Sequence, residues 1–182
     1  MAEKRLFIAI PCSEETKRVL EDNISILQEH GSLRPTTPEN LHMTVVYVGE
    51  TTRMHDVKQA LQGLIASSFT MEFTELGVFK RPEGNLLWQG VEKSFELEDI
   101  FSQISENLQW RGFTNLSPHF TPHITLGRRF VREKDTSFTR IKELLKQPLK
   151  QKVDYVALFE STRINGKLVY KELDRVSLEE LV

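Results

Sequence analysis

The sequence predicts an α+β fold in which two lobes share one core. Strand and helix signals alternate along all 182 residues. Two pairs of strands are joined by hairpin signals, and one short block recurs 81 residues after it first appears.

Each element follows from local chemistry. Residues 6–10 form an aliphatic run stopped by Pro11 and read as a buried strand. Ser13 caps the next helix, Glu14 and Glu15 complement its dipole, and Leu20, Ile24 and Leu27 recur at helical spacing until Gly31 closes it. Residues 41–48 make a strand, and Val57, Leu61, Leu64 and Ile65 mark a second helix. Strands over 70–79 and 86–92 flank a turn of Pro82, Glu83, Gly84 and Asn85. Leu97, Phe101, Ile104 and Leu108 mark a third helix ending at Gly112, and a strand follows over 121–130. A fourth helix carries Ile141, Leu144 and Leu145 and stops before Pro148. Strands over 152–162 and 167–176 flank Asn165-Gly166, a strong hairpin signal. No composition break marks a linker, so residues 1–182 read as one domain.

Composition narrows the function classes. The net charge of −2 excludes a chain that coats nucleic acid non-specifically, so any such contact is local. The single cysteine, Cys12, rules out an intrachain disulfide and a cysteine-cluster metal site. The longest apolar runs are far below the roughly 20 residues of a membrane-spanning helix. The apolar stretch at the start is too short for a signal peptide and lacks a cleavage site, so the expected location is the cytoplasm. Neither G-x-G-x-x-G nor G-x-x-x-x-G-K-[ST] occurs, which argues against dinucleotide and Walker-type phosphate cradles.

Of the five histidines, His30, His55 and His119 read as surface or supporting residues. His42 and His123 differ. The segments His42-Met43-Thr44-Val45 and His123-Ile124-Thr125-Leu126 each open a strand after a proline-containing approach. Side chains alternate along a strand, so His42 shares a face with Thr44, and His123 with Thr125. Chance alone gives about 0.4 such triplets in a chain of this composition. A duplication with facing lobes produces the half-chain spacing. The readings open at this point are a paired-histidine active site, a pair of satisfied core histidines, and a metal site. Zinc wants three or four His, Cys, Asp or Glu ligands, and threonine is a poor one. Two imidazoles and two hydroxyls suit an anion better. Hydroxyls donate to non-bridging oxygens while one imidazole acts as acid and the other as base across a phosphorus centre. Arg128 and Arg129 follow the second block, and a guanidinium can hold a phosphate through two hydrogen bonds. Strand parity puts Arg129 on the face of His123, but a bulge at Gly127 would turn Arg128 there instead.

At these residues the sequence resembles the 2H phosphoesterases, and within them the bacterial RNA 2′,3′-cyclic phosphodiesterase (2′-5′ RNA ligase-like) family. The resemblance runs through Arg5 to Pro11, Pro38-Glu-Asn-Leu-His-Met-Thr-Val45 with Gly49-Glu50, Leu87-Trp88-Gln-Gly-Val91, Pro122-His-Ile-Thr-Leu-Gly-Arg128, Phe159-Glu-Ser161 and Gly166 to Tyr170. It implies a bilobal fold, two antiparallel-sheet lobes with outer helices around a central groove. It implies hydrolysis of a 2′,3′-cyclic phosphate to a 2′-phosphate, with no metal and no cofactor. His42 would be the proton donor and His123 the proton acceptor, Thr44 and Thr125 would contact the phosphate, and Arg128 would assist. The implied partner is an RNA or oligonucleotide end bearing a 2′,3′-cyclic phosphate, with no membrane, bound by a monomer. The alternatives are 2′-5′ ligation or another cyclic nucleotide at the same site, or a non-catalytic RNA-end-binding module.

Overall fold

The computed structural model describes residues 1–148 and 150–180. Its elements are β1 (Lys4–Pro11), α1 (Glu14–Glu29), β2 (Gly31–Pro35), a 3-10 turn (Pro38–Asn40), β3 (His42–Thr51), α2 (Met54–Gln62), β4 (Phe69–Met71), β5 (Phe73–Phe79), β6 (Asn85–Val91), α3 (Phe95–Trp110), β7 (His123–Arg132), α4 (Phe138–Leu144), β8 (Gln151–Val153), β9 (Tyr155–Ile164) and β10 (Lys167–Ser177). Serines begin three helices. The Ser13, Ser94 and Ser137 hydroxyls accept from the backbone N–H groups of Thr16, Leu97 and Arg140.

The main sheet runs β10-β9-β1-β3-β7-β6-β5, with β2 also on β7, and its pairings are antiparallel. It consists of two half-sheets joined at one register pair, Met43 with Ile124. Helices α2 and α3 cover the half containing β3, and α1 and α4 cover the half containing β7. One contiguous core lies under both halves, from Leu6 and Ile8 through Met43, Leu61 and Ile104 to Leu87, Ile124 and Ile141. The opposite face carries a smaller cluster of Phe7, Ala9, Ala157 and Phe159. No helix among the described residues is long and apolar enough to cross a membrane.

Four local expectations are corrected. Helix α1 ends at Glu29 with His30 as its cap, and Gly31 opens the unexpected strand β2 instead of closing the helix. A Cβ on Gly31 would fall 2.6 Å from the Phe130 ring and from the Val131 carbonyl, so glycine lets β2 lie close on β7. With a single aliphatic side chain, Leu33, β2 has no periodicity to read. The strand expected over 70–79 divides at Glu72, and the one over 152–162 divides at Asp154. Their first parts, β4 and β8, pair with each other in a separate two-stranded sheet. Helix α2 stops at Gln62, leaving Ile65 78% exposed. The hairpin at Asn165-Gly166 is present, and both residues have positive φ, 51° and 77°, as a type I′ turn requires.

Candidate active site

The Met43–Ile124 pair decides which residues meet. Both side chains are fully buried on the helix side, so their strand neighbours point to the open side. Extending the antiparallel register one residue each way sets His42 opposite Thr125 and Thr44 opposite His123. The imidazoles then stand at diagonal positions, which lie about 7 to 8 Å apart between Cα atoms.

The two strands match beyond the motif. From the histidine onward, β3 and β7 share one burial pattern: half-buried, buried, half-buried, buried, buried, exposed. The doubled buried position reflects the same irregularity in each. β3 bulges at Val45 against β1, and β7 bulges at Leu126 against β6. The bulge turns the sixth residue of each block back toward the groove, which is Tyr47 in β3 and Arg128 in β7. A second irregularity at Arg128 and Arg129 puts Arg129 at φ 55°.

Each imidazole is held in the same way. His42 Nδ1–H donates to the Asn40 carbonyl at 2.7 Å, and His123 Nδ1–H donates to the Thr121 carbonyl at 2.6 Å. A carbonyl only accepts, so both rings carry their proton on Nδ1 and keep Nε2 for other work. His42 Nε2 lies 2.9 Å from the Thr44 hydroxyl. Asn40 is itself anchored, because its Nδ2 donates to the Leu168 carbonyl of β10 at 3.0 Å. The Thr36 hydroxyl donates to the Thr125 carbonyl at 2.8 Å and so ties the second block to the segment after β2.

Aromatic rings flank each histidine. His42 lies 5.0 Å from both the Phe7 and the Tyr170 ring centroids. His123 lies 5.3 Å from Phe79 and 5.7 Å from Trp88. Trp88 crosses Gly77 so closely that a Cβ there would sit 2.1 Å from the indole. Burial lowers the His42 pKa below its ordinary value, and the charges of His123 and Arg128 lower it further, against the opposing Asn40 bond. Burial raises the Tyr170 phenol, and the Arg128 charge opposes that rise. Arg128 therefore acts on His42 and Tyr170, both in the other half-sheet.

This arrangement can bind an anion and move protons on both sides of it. The family profile of the 2'-5' RNA ligase superfamily matches residues 20–165. The chain belongs to the 2′-5′ RNA ligase superfamily. An RNA 2′,3′-cyclic phosphodiesterase of Archaeoglobus fulgidus is 26% identical over 127 residues, which is 68% of this chain and 72% of that protein. An RNA 2′,3′-cyclic phosphodiesterase of Geobacillus stearothermophilus is 26% identical over 145 residues, 73% of this chain but only 44% of that protein. The fold is similar to that of E. coli LigT in its apo form, with a TM-score of 0.75 and 24% identity over 98% of this chain and 99% of that one.

As a member of the 2′-5′ RNA ligase superfamily, the chain brings His42, Thr44, His123, Thr125 and Arg128 to one side of the sheet. Sequence reading missed the flanking shell of Phe7, Tyr170, Phe79 and Trp88, along with Thr36 and Tyr47. Only Tyr47 had a readable signal, because it occupies in the first block the place of Arg128 in the second. The other histidines lie apart: His55 and His119 are exposed, and His30 caps α1. Among the described residues, no three of His, Cys, Asp and Glu gather as a metal site.

Proposed function

We propose that this chain hydrolyses RNA 2′,3′-cyclic phosphodiester ends to 2′-phosphomonoesters by paired-histidine acid–base catalysis that uses no metal. The observation that supports it best is the matched anchoring of His42 and His123. Each ring is tied through Nδ1 to the carbonyl two residues upstream, with Nε2 left for the groove.

In this reading His123 takes a proton from water as the water oxygen attacks phosphorus. The P–O3′ bond breaks, and His42 gives its proton to the departing O3′. Thr44, Thr125 and Arg128 hold the non-bridging oxygens, where charge builds in the transition state. The low pKa of His42 has a place in this scheme. Burial and the nearby Arg128 charge favour the neutral ring in the free protein. An incoming phosphate anion offsets that charge and favours the imidazolium, so substrate itself loads the acid.

The test is incubation with a 2′,3′-cyclic-terminated oligonucleotide in EDTA. A 2′-phosphate product is expected. Loss of turnover on chelation overturns the metal-free mechanism, binding without turnover points to an end-binding module, and joined products point to ligation.

A further inference from the structure

A 2′,3′-cyclic phosphate ends its strand, so the whole remaining polynucleotide lies on the 5′ side of the reacting nucleotide. That strand must leave the groove over one half-sheet or the other. On the β9–β10 half, Arg5 and Arg175 share the face of Phe7 and Ala157, but carboxylates occupy both. Arg5 pairs with Glu50 at 2.7 Å, and Arg175 pairs with Glu172 at 2.8 Å. Arg163 lies near the tip of that hairpin, bonded to the Gly166 carbonyl.

The β5–β6 half differs. Among the described residues, Lys80, Arg81, Arg128 and Arg129 form no ion pair. They also lie together. The turn joining β5 to β6 rests on the bulge of β7, for a Cβ on Gly84 would fall 2.8 Å from the Arg129 Cα. From the site outward the groups form a continuous path. The Phe79 ring is 5.3 Å from His123, and the Arg81 guanidinium is 5.7 Å from the Phe79 ring. An aromatic ring beside a cation without a carboxylate partner is the pairing that binds single-stranded nucleic acid. Among the described residues Glu83 forms no ion pair either, and it is the one acid beside Lys80 and Arg81 in that turn.

We infer that the β5–β6 hairpin is a shelf for the nucleotides 5′ of the cyclic end, with Phe79 stacking on a base or ribose and Lys80 and Arg81 holding the next phosphates. The shelf makes oligonucleotides better substrates than cyclic mononucleotides. As a statement about substrate this rests on the hydrolysis proposed above. As a binding surface it stands apart.

The experiment measures both. Anisotropy of a labelled octanucleotide ending in a 2′-phosphate reports binding without turnover, with the corresponding mononucleotide as competitor. The Lys80→Ala/Arg81→Ala double variant should weaken octanucleotide binding about tenfold and flatten its log–log salt dependence by about 0.7 per lost phosphate contact. Its kcat/KM preference for the cyclic octanucleotide over the cyclic mononucleotide should shrink by a similar factor. Arg140→Ala, on the outer helix α4, should change none of these. Arg81→Glu is the second variant and should weaken binding further. Wild-type affinity and salt slope in the double variant overturn the shelf, as does a wild-type protein without preference for the octanucleotide. Shelf-dependent binding without hydrolysis overturns the proposed reaction and leaves the shelf standing.

Discussion

Met43 and Ile124 hold the same place in two blocks 81 residues apart, and they form the one register pair that joins β3 to β7. Because the strands are antiparallel and the paired positions correspond, a two-fold rotation normal to the sheet exchanges the two blocks. Each histidine consequently stands across the seam from the other block's threonine.

This seam sets both stability and histidine spacing. Met43→Ala or Ile124→Ala should cost about 2 to 5 kcal/mol in urea unfolding, because each side chain is wholly buried. Met43→Leu should cost under about 1.5 kcal/mol. The alanine variants should also lose kcat while still folded, since displacements near 1 Å can cost roughly a hundredfold.

His42→Ala and His123→Ala should each lower kcat by about a hundredfold or more. The double variant should lose far less than the product of the two, because acid and base act as one unit. Steady-state turnover of a cyclic-terminated oligonucleotide checks this, and wild-type turnover in either single variant removes that histidine from the mechanism.

The His42 imidazole should titrate below its ordinary value of about 6.5 when followed by NMR in the free protein. The sign for stability follows. Well above 6.5 the ring is neutral in both folded and unfolded chains, and its contribution is fully present. As pH falls, the unfolded chain takes up a proton that the folded protein resists, so stability is lost until the folded value is passed. His42→Asn should flatten that part of the stability–pH curve. Adding a nucleotide 2′-phosphate should move the His42 titration upward.

Arg128→Ala removes a cation that lowers the His42 pKa, so the His42 titration should rise toward its ordinary value. The same variant should lose about ten- to a hundredfold in kcat/KM, because the guanidinium no longer holds the developing phosphate charge. A titration unchanged by the substitution would mean that Arg128 does not act on His42.

Gly77→Ala drives a methyl into the Trp88 indole. It should destabilise the protein by about 1 to 3 kcal/mol and lower turnover by moving Trp88 away from His123. Thermal unfolding and turnover measured together separate these two effects.

The α+β class, the Ser13-capped helix, the Asn165-Gly166 hairpin and both H-x-T blocks were legible because local rules write them. Capping, periodicity and turn residues each act within a few positions. Strand β2 was not legible. Gly31 is there to let Phe130 pass, and that demand comes from 99 residues away. The breaks at Glu72 and Asp154 were hidden for a related reason. Both halves of each run favour β structure, and only the choice of partner strand divides them.

The sequence by itself singled out the candidate site residues, because two copies of one short pattern stand out against chance. Strand alternation then put each histidine beside its own threonine. Tertiary structure alone decided that the two blocks meet across one seam, and that Phe7 and Tyr170 flank His42 while Phe79 and Trp88 flank His123. The reason is physical: one buried contact between Met43 and Ile124 sets the register of two strands whose order along the chain says nothing of their meeting. The burial of His42 in that fold lowers its pKa below the ordinary value.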